Sequence, residues 1–270
     1  DNYIWLIRGK SPDRVAIVDP GDADPVLAAL ETQRLTPTAI LCTHHHGDHV
    51  GGVADILKHY SIPVYGPARE RIPTLTHRLQ DGDHINIVEL GLEFDVLDVP
   101  GHTAGHIAYL QQGEAVPGVP APILFCGDTL FSAGCGRLFE GTPGQMFDSL
   151  ARLAALPAGT QVCCTHEYTL SNLRFAAAVE PGNARRAAYQ AQCATARAAG
   201  RPTLPSSIAS RTRRLGSPVL IPAQKPSACT NSQLRGYFLS GLGLREIYTR
   251  LPGSAHPFIL PELGQWTVTS

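Results

Sequence analysis

A run of metal-binding side chains between Thr43 and His49 is the strongest chemical feature of this sequence. Its spacing, His-x-His-x-Asp-His, brings together His44, His46, Asp48 and His49. Three imidazoles and a carboxylate in one run suit a divalent metal of borderline softness. In an extended turn alternate residues point the same way, so His44 and His46 can share one ion. Asp48 and His49 begin the next turn and can face a second ion, although a merely polar, histidine-rich loop is the alternative.

Further donor residues follow three other apolar segments, each where a strand is expected to end. His102 follows LEFDVLDVPG, Asp128 follows ILFCG, and His166 follows QVCCT. Each residue alone has an ordinary explanation, since an aspartate at a strand end more often forms a turn or caps a helix. In α/β proteins, however, ligands collect at the carboxyl ends of strands. The five histidines and two aspartates therefore predict two four- or five-coordinate ions that share one carboxylate.

Strands and helices that would position these donors alternate over about the first 165 residues. Short β-rich segments are YIWLI, RVAIVD, TAILCT, IPVYG, INIVEL, LEFDVLDVPG, HIAYLQ, ILFCGD and QVCCTH, which Gly, Asp and Pro separate. Helical spacing occurs in DADPVLAALETQR, in HVGGVADILKHY and near Gly144–Leu156,. YIWLI and RVAIVD should pair as a hairpin. Strands interleaved with helices predict an α/β (α+β) domain with layered sheets.

Beyond Thr169 the sequence becomes rich in alanine. SNLRFAAAVE and NARRAAYQAQCATARAAG predict two helices, which Pro181-Gly182 separates,. We therefore divide the chain into a metal-binding domain at 1–168, a helical region at 169–209 and a tail at 210–270. Pro, Gly and Ser are scattered through the tail without a period, so we assign it no element.

The composition excludes several classes of protein. The chain has 270 residues, of which 43% are hydrophobic and 17% charged, so it is long enough to bury a core and is neither disordered nor fibrous. The 22 basic residues nearly equal the 23 acidic ones, which gives no reason to expect nucleic acid or an anionic membrane. No apolar run reaches the roughly 18 residues of a membrane span. We expect a monomer without nucleic-acid or membrane partners.

Cysteine usage indicates the compartment. The seven cysteines include no Cys-x-x-Cys pair, and most lie in apolar segments, where a free thiol behaves as a small hydrophobic group. With no secretory or transit signal, this pattern predicts a reducing, cytoplasmic location. The only methionine is Met146, so we expect further residues before Asp1 in the natural chain.

Longer motifs identify a family. THHHGDHVGG resembles the signature of the metallo-β-lactamase superfamily. GDTLFSAGCGRLFEGT and CTHEYTLSNLRFA narrow the resemblance to glyoxalase II, the hydroxyacylglutathione hydrolases, and GRPTLPSSIA at 200–209 resembles the C-terminal region of that family. The resemblance covers residues 1 to about 209. It implies an αββα sandwich followed by a smaller helical substrate-binding domain, which we assign to 169–209.

The resemblance also implies a binuclear metal site. The first ion is implied to bind His44, His46 and His102. The second is implied to bind Asp48, His49 and His166, and Asp128 is implied to bridge the two. Zinc is the expected metal, with iron or manganese as alternatives. His45 should point away from the ions, and His106 should have a structural role or support a ligand.

The resemblance implies that the reaction is the hydrolysis of a thioester. Its substrates are S-(2-hydroxyacyl)glutathiones such as S-lactoylglutathione, and its products are glutathione and a 2-hydroxy carboxylate, in methylglyoxal detoxification. A hydroxide held between two metal ions attacks the carbonyl carbon, and Asp48 is implied to orient it. The thiolate is a fair leaving group because an ordinary thiol has a pKa of about 8.5. No serine or cysteine nucleophile is required.

Glutathione carries two carboxylates, so its site should offer cationic and hydrogen-bonding groups. The positions at which family members contact glutathione are Arg137, Phe139 and Tyr168 in this chain. Phe139 departs from the commoner tyrosine and removes a hydroxyl. The alternative interpretations are a solvated loop cation for Arg137 and a packing aromatic for Tyr168.

After Ile208 the resemblance stops. In place of an Asn-Pro-Phe-Leu-Arg-like segment the chain continues SRTRRLGSPVLIPAQKPSACTNSQLRGYF. Residues 211–270 carry seven basic and two acidic residues, a net charge of +5, whereas the rest carries 15 basic and 21 acidic residues, a net charge of −6. We hypothesise that the tail from about residue 210 comes from a shifted reading frame or a gene-assembly error, or is disordered, with a genuine divergent extension as the alternative. We assign no tail residue to the site.

Other functions are alternatives for this sequence. A lactonase, a β-lactamase or an iron-dependent persulfide dioxygenase could use the same scaffold, but GCGR, HEYT and the complete second ligand set favour the thioester hydrolase. The alternative from a different class is an inactive, truncated product, suggested by the missing start and the unusual tail.

Overall fold

The computed structural model describes residues 2–112, 122–209 and 266–269, the last range by its backbone alone. The strands are β1 (Ile4–Arg8), β2 (Arg14–Val18), β3 (Thr36–Leu41), β4 (Val64–Pro67), β5 (His77–Leu79), β6 (His84–Ile87), β7 (Leu92–Asp98), β8 (Ile107–Gln111), β9 (Ile123–Gly127), β10 (Leu130–Phe131), β11 (Gly134–Cys135), β12 (Gln161–Cys164), β13 (Ser206–Ser207) and β14 (Trp266–Thr269). The helices are α1 (Asp24–Gln33), α2 (Gly47–Val50), α3 (Val53–Ile56), α4 (Pro143–Ala154), α5 (Thr169–Val179) and α6 (Ala184–Ala198).

The first sheet has the order β14-β1-β2-β3-β4-β5. β1 and β2 form the predicted antiparallel hairpin, in which Leu6 lies opposite Ile17. β2, β3, β4 and β5 run parallel to one another, because helices connect β2 to β3 and β3 to β4,. β14 pairs antiparallel with β1, so four residues of the tail form a strand that the sequence did not indicate. The rest of the tail lies outside the described residues.

The second sheet has the order β13-β12-β9-β8-β7-β6. β6, β7, β8 and β9 are antiparallel neighbours. β12 runs parallel to β9, with a register shift between Cys163 and Cys164. The β9 and β12 strands therefore end at the same edge of this sheet.

The main core lies between the two sheets. Trp5, Phe94, Tyr109 and Phe125 are buried there, and the ring centroids of Trp5 and Phe125 are 6.5 Å apart. Successive residues of a strand point to opposite faces, so Trp5 enters this core while Leu6 enters a second cluster.

Helices cover the outer faces of both sheets. Val26 and Leu30 of α1 and Val53 of α3 pack on the first sheet in the second cluster. Met146 and Leu153 of α4 pack with the residues of the second sheet. The αββα arrangement expected from the family resemblance is confirmed.

The helix predicted after the metal-ligand run is shorter than expected and is interrupted. The sequence indicated a continuous helix over HVGGVADILKHY, but the chain forms two single turns, α2 and α3, around Gly51-Gly52. The Gly52 N–H donates to the Pro20 carbonyl at 2.9 Å instead of continuing the helical ladder. A Cβ at Gly52 would lie 2.5 Å from the Ala23 nitrogen, so the close approach of the 20–23 segment interrupts the helix.

The two alanine-rich helices form as predicted. Asn183 caps α6 by accepting a hydrogen bond from the Arg186 N–H at 3.0 Å,. Leu173 of α5 and Tyr189 of α6 pack in a small cluster with Ala133. The boundaries of the metal-binding domain at 1–168 and of the helical region at 169–209 stay predictions. Within the described part of the chain no helix has the length and apolar character to cross a membrane.

Candidate metal centre

Both sheets contribute side chains to one site. The loop after β3 and the short α2 supply four of the predicted ligands, His44, His46, Asp48 and His49. The second sheet supplies the other three from the β7–β8 loop, the end of β9 and the end of β12, and these are His102, Asp128 and His166. The structure brings all seven predicted ligands together.

Three imidazoles form the first half of the site. The His46 Nδ1 atom lies 3.1 Å from His44 Nε2 and 3.0 Å from His102 Nε2. These three residues can hold one metal ion between their ring nitrogens. Three nitrogen donors leave a coordination position open, as in catalytic zinc sites.

Asp48, His49 and His166 form the second half, and they can hold another ion. The Asp48 Oδ2 atom is 4.0 Å from His49 Nε2 and 3.6 Å from His166 Nε2. The side chains of His49 and His166 are buried, whereas that of Asp48 is 53% exposed. Asp48 therefore lies at the opening of the site.

Asp128 lies between the two halves. Its Oδ1 atom is 3.4 Å from His49 Nε2 and 3.2 Å from His166 Nε2. Its Oδ2 atom is 3.5 Å from His102 Nε2. One carboxylate oxygen thus faces each group of histidines, which is the arrangement of a bridging ligand.

Buried polar atoms without hydrogen bonds support the presence of metal. His49 Nε2 and Asp128 Oδ1 are both buried and have no hydrogen-bond partner among the described residues. Burying such groups unpaired is unfavourable, and a cation between them would satisfy both. The set of imidazole nitrogens and carboxylate oxygens suits zinc, iron or manganese. The residues fit a divalent metal site.

Contacts on the far side of the ring orient three of the histidines, His44, His49 and His102. His102 donates from Nδ1 to the Arg137 carbonyl at 2.7 Å, which leaves Nε2 free to bind metal. The His44 Nδ1 atom lies 3.1 Å from Thr43 Oγ1. The His49 Nδ1 atom lies 3.1 Å from Asp19 Oδ2.

Burial and neighbouring charges together set the pKa values of these groups. It lowers the pKa of His44 well below the usual value and also lowers the pKa of His46 and His102, so these rings are neutral, as metal ligands must be. Burial also opposes charge on His49, but the carboxylates of Asp19, Asp128 and Asp48 outweigh it and raise the pKa to about 9. Burial acts to raise the pKa of Asp128, but the neighbouring histidines lower it below its ordinary value.

Asp19 is a site residue that was not predicted from the sequence. This buried carboxylate directly follows β2 and accepts hydrogen bonds from the Thr43 N–H at 2.8 Å and the Thr43 hydroxyl at 2.7 Å. Together with its contact to His49, these bonds tie the metal-ligand loop to β2. Asp19 follows an apolar strand, as Asp128 does, and this position was the one feature of the sequence that could have indicated its role.

His106 and Gly127 lie behind the ligands. The His106 ring stacks on His44 with centroids 4.6 Å apart, and His106 Nε2 accepts from the Asp128 N–H at 3.2 Å. Burial lowers the pKa of His106 well below its usual value, so the ring is a neutral acceptor. Gly127 has φ +46°, and a Cβ there would lie 2.3 Å from Thr43 Oγ1. His106 thus supports the site, and only glycine fits at 127.

The three predicted substrate-binding residues lie beside the metal ligands. The ring of Phe139, 57% exposed, has its centroid 5.3 Å from those of His46 and His102. The guanidinium of Arg137 lies over Phe139, 5.0 Å from its centroid. Tyr168 stacks on His166 with centroids 4.7 Å apart and an interplanar angle of 5°. All three border the site.

Solved structures share this fold. The crystal structure of ETHE1 from Myxococcus xanthus is 30% identical, with a TM-score of 0.53 over 62% of this chain and 71% of that one. The BLEG-1 B3 metallo-beta-lactamase is 30% identical, with a TM-score of 0.51 over 60% of this chain and 84% of that one. TTHA1623 in a di-iron-bound form is 33% identical, with a TM-score of 0.50 over 62% of this chain and 87% of that one.

Similarity in amino-acid sequence defines a smaller group of proteins than similarity in fold does. A family model described as "Metallo-beta-lactamase superfamily" matches residues 1–166, and one described as "Hydroxyacylglutathione hydrolase C-terminus" matches residues 167–213. A hydroxyacylglutathione hydrolase of Nitrosomonas europaea is 53% identical over 77% of this chain and 76% of its own length. One from Pseudomonas aeruginosa is 56% identical over 77% of this chain and 78% of its own length. The chain belongs to the hydroxyacylglutathione hydrolases (glyoxalase II) of the metallo-β-lactamase superfamily.

Proposed function

We propose that this protein hydrolyses S-(2-hydroxyacyl)glutathione thioesters, such as S-lactoylglutathione, to glutathione and a 2-hydroxy carboxylate. In that role it acts in methylglyoxal detoxification. The observation that carries the proposal is the convergence of three histidines, a second Asp-His-His set and an aspartate that lies between them. The same chain also carries the C-terminal region of this family. The names of the relatives supply the substrate class.

We further propose that the site holds two divalent ions. Zinc is the expected metal, and iron and manganese are the alternatives. His44, His46 and His102 would hold one ion, Asp48, His49 and His166 the other, and Asp128 would bridge them. When bound, such ions supply a nucleophilic water at neutral pH and a Lewis acid for the thioester carbonyl. Support comes from the distances across the site and from the unpaired, buried atoms of His49 and Asp128.

Asp48 is suited to a second role. Because its side chain is half-exposed at the opening of the site, it can accept a hydrogen bond from the attacking water and orient it. We assign it that catalytic role beside its role as a ligand. A thiolate is a fair leaving group, so the reaction requires no strong general acid from the protein.

Arg137, Phe139 and Tyr168 would receive the glutathione part of the substrate. Arg137 offers a guanidinium, which pairs well with the glutathione carboxylates. Tyr168 offers a hydroxyl beside His166, and Phe139 offers an apolar face in place of the commoner tyrosine. Support for this assignment is the position of all three beside the metal ligands.

A cytoplasmic location is also proposed. Support comes from Cys42, Cys135 and Cys193, which are free thiols. Free thiols are typical of reducing compartments. Fractionation of the source cells, followed by immunodetection, tests this assignment.

The test is steady-state kinetics on S-lactoylglutathione with the metal content measured on the same sample. A lactone and a β-lactam serve as comparison substrates. We expect thioester hydrolysis with about two ions per chain and slow turnover of both ring compounds. Faster turnover of either ring substrate would show that the assignment is wrong, and failure to take up metal during metal-supplemented expression would favour an inactive product.

A further inference from the structure

Glu70 is a buried carboxylate that no ligand assignment uses. Only 2% of its side chain is exposed. Its Oε2 atom accepts from the His45 N–H at 2.5 Å and lies 2.8 Å from His45 Nδ1. Its Oε1 atom accepts from the Thr103 hydroxyl and from the Gly105 N–H, the latter at 3.1 Å. A carboxylate has about four acceptor positions, and here each oxygen has two partners.

These partners come from both ligand-bearing loops of the site. His45 lies between the ligands His44 and His46, whereas Thr103 follows the ligand His102. Glu70 therefore connects the loop of the first sheet to the loop of the second sheet. Burying a carboxylate is unfavourable unless it is hydrogen-bonded, so this position favours one relative placement of the loops.

His45 continues the connection outward to Glu140. The His45 Nε2 atom is 3.2 Å from Glu140 Oε1. The other oxygen, Oε2, accepts from the Ala104 N–H at 3.0 Å. Glu140 thus repeats on the outer side what Glu70 does on the inner side, since each joins His45 to the loop that follows His102.

Glu140 belongs to the segment that carries two of the proposed substrate-binding residues. The Phe139 N–H donates to the His102 carbonyl at 3.1 Å, and the Arg137 carbonyl accepts from the His102 ring. The contacts of Glu140 therefore hold the 137–140 segment against the metal-ligand loops.

We propose that Glu70 and Glu140 are positioning residues that act through His45. Glu70 sets the spacing between the His44–His46 loop and His102, and so the affinity for metal. Glu140 sets the placement of Arg137 and Phe139, and so the binding of substrate. The part concerning Glu140 rests on the proposed thioesterase function, whereas the part concerning Glu70 does not.

The proposed role of Glu70 is tested by measuring the affinity of a variant for Zn²⁺. In Glu70→Gln one oxygen becomes an NH2 group that faces hydrogen-bond donors, so one of the two loops loses its acceptor. We expect the affinity for Zn²⁺, measured by competition with a chromophoric chelator, to fall by about 10- to 100-fold. Glu31→Gln, an exposed change on α1, is the matched control and should keep the parent affinity.

A purely structural role for Glu70 would give a different result. Glu70→Gln would then lower the unfolding temperature of the metal-free protein and leave the Zn²⁺ affinity of the folded protein unchanged, and that outcome would overturn the proposal. If Glu70→Gln does not fold, Thr103→Val removes a single donor while keeping the side-chain shape. Unchanged Zn²⁺ affinity in folded Thr103→Val would equally overturn it.

The proposed role of Glu140 is tested by steady-state kinetics that determine KM and kcat separately. Glu140→Ala removes both outer contacts at a partly exposed position. We expect KM for S-lactoylglutathione to rise by about fivefold, as for loss of a favourable exposed ion pair, with kcat and Zn²⁺ affinity unchanged. An unchanged KM would refute the proposed role of Glu140. A fall in kcat as large as the rise in KM would also refute it. Absence of any thioester turnover in the parent protein would instead refute the proposed function, and the Zn²⁺ measurements on Glu70→Gln would stand.

Discussion

Asp128 faces histidines from both sheets, and its replacement tests whether it bridges two ions. Asp128→Ala removes both carboxylate oxygens, one facing His49 and His166 and the other facing His102. We expect both ions and thioester hydrolysis to be lost together, with activity falling by at least about 100-fold. Metal analysis and kinetics on one preparation measure both.

Asp148→Ala is the control for that experiment, because Asp148 is exposed on α4. It should keep metal and activity. Full activity in Asp128→Ala would show that the bridging role is wrong, and loss of only one ion would restrict Asp128 to one half of the site.

Asp19 acts on the metal through other residues. Asp19→Ala removes the acceptor for His49 and for the Thr43 N–H, so the ring of His49 is no longer held in place. We expect metal affinity to fall by about 10- to 100-fold, measured by chelator competition. Asp13→Ala, an exposed change in the β1–β2 turn, should leave the affinity unchanged. Equal affinities in the two variants would contradict a positioning role for Asp19.

At the scale of elements, the end of β9 depends on a glycine. Gly127 combines φ +46° with a Cβ position 2.3 Å from Thr43 Oγ1 and 2.8 Å from His106 Nε2. We expect Gly127→Ala to lower the free energy of unfolding by about 1–3 kcal/mol from backbone strain alone, and to weaken metal binding because Asp128 follows directly. Urea unfolding and metal titration measure the two effects.

Gly159→Ala is the matched control. Nothing lies within 4 Å of a Cβ at Gly159, and its φ is not in the left-handed region. It should therefore unfold at the parent urea concentration or slightly above it. A Gly127→Ala protein as stable as the parent would mean that the β9 turn relaxes without strain.

At the scale of the whole molecule, the metal site joins the two sheets. Four ligands come from the first sheet and three from the second, so a bound ion stabilises their association as well as the loops. Ligand binding to the folded state alone stabilises by about 4 kcal/mol when the free ion is 1,000-fold above its Kd. We therefore expect removal of metal with a chelator to lower the unfolding temperature, and return of Zn²⁺ to restore it. In Asp128→Ala the chelator should change nothing, and a parent protein insensitive to chelator would contradict this coupling.

Much of the fold could be predicted because its signals are local. Segments such as RVAIVD and ILFCGD are short, continuous apolar runs that end in turn residues, as buried strands do, and they form β2 and β9. β5, β10, β11 and β13 contain only two or three residues each, too few to show a period. The interruption between α2 and α3 depends on the Pro20 carbonyl, which lies far from Gly52 in sequence.

The sequence by itself determined the chemistry of this protein. The spacing of His44, His46, Asp48 and His49, and the donors at strand ends, indicated a divalent metal site, because ligand identity and strand ends can be read from neighbouring residues. The longer motifs, by their resemblance to glyoxalase II, implied the hydrolase. Only the tertiary structure decided how those donors are held. Glu70 lies 25 residues from His45 and 33 from Thr103, and no local pattern relates them. Their contact exists because the packing of two sheets across one core brings separate loops to the same edge.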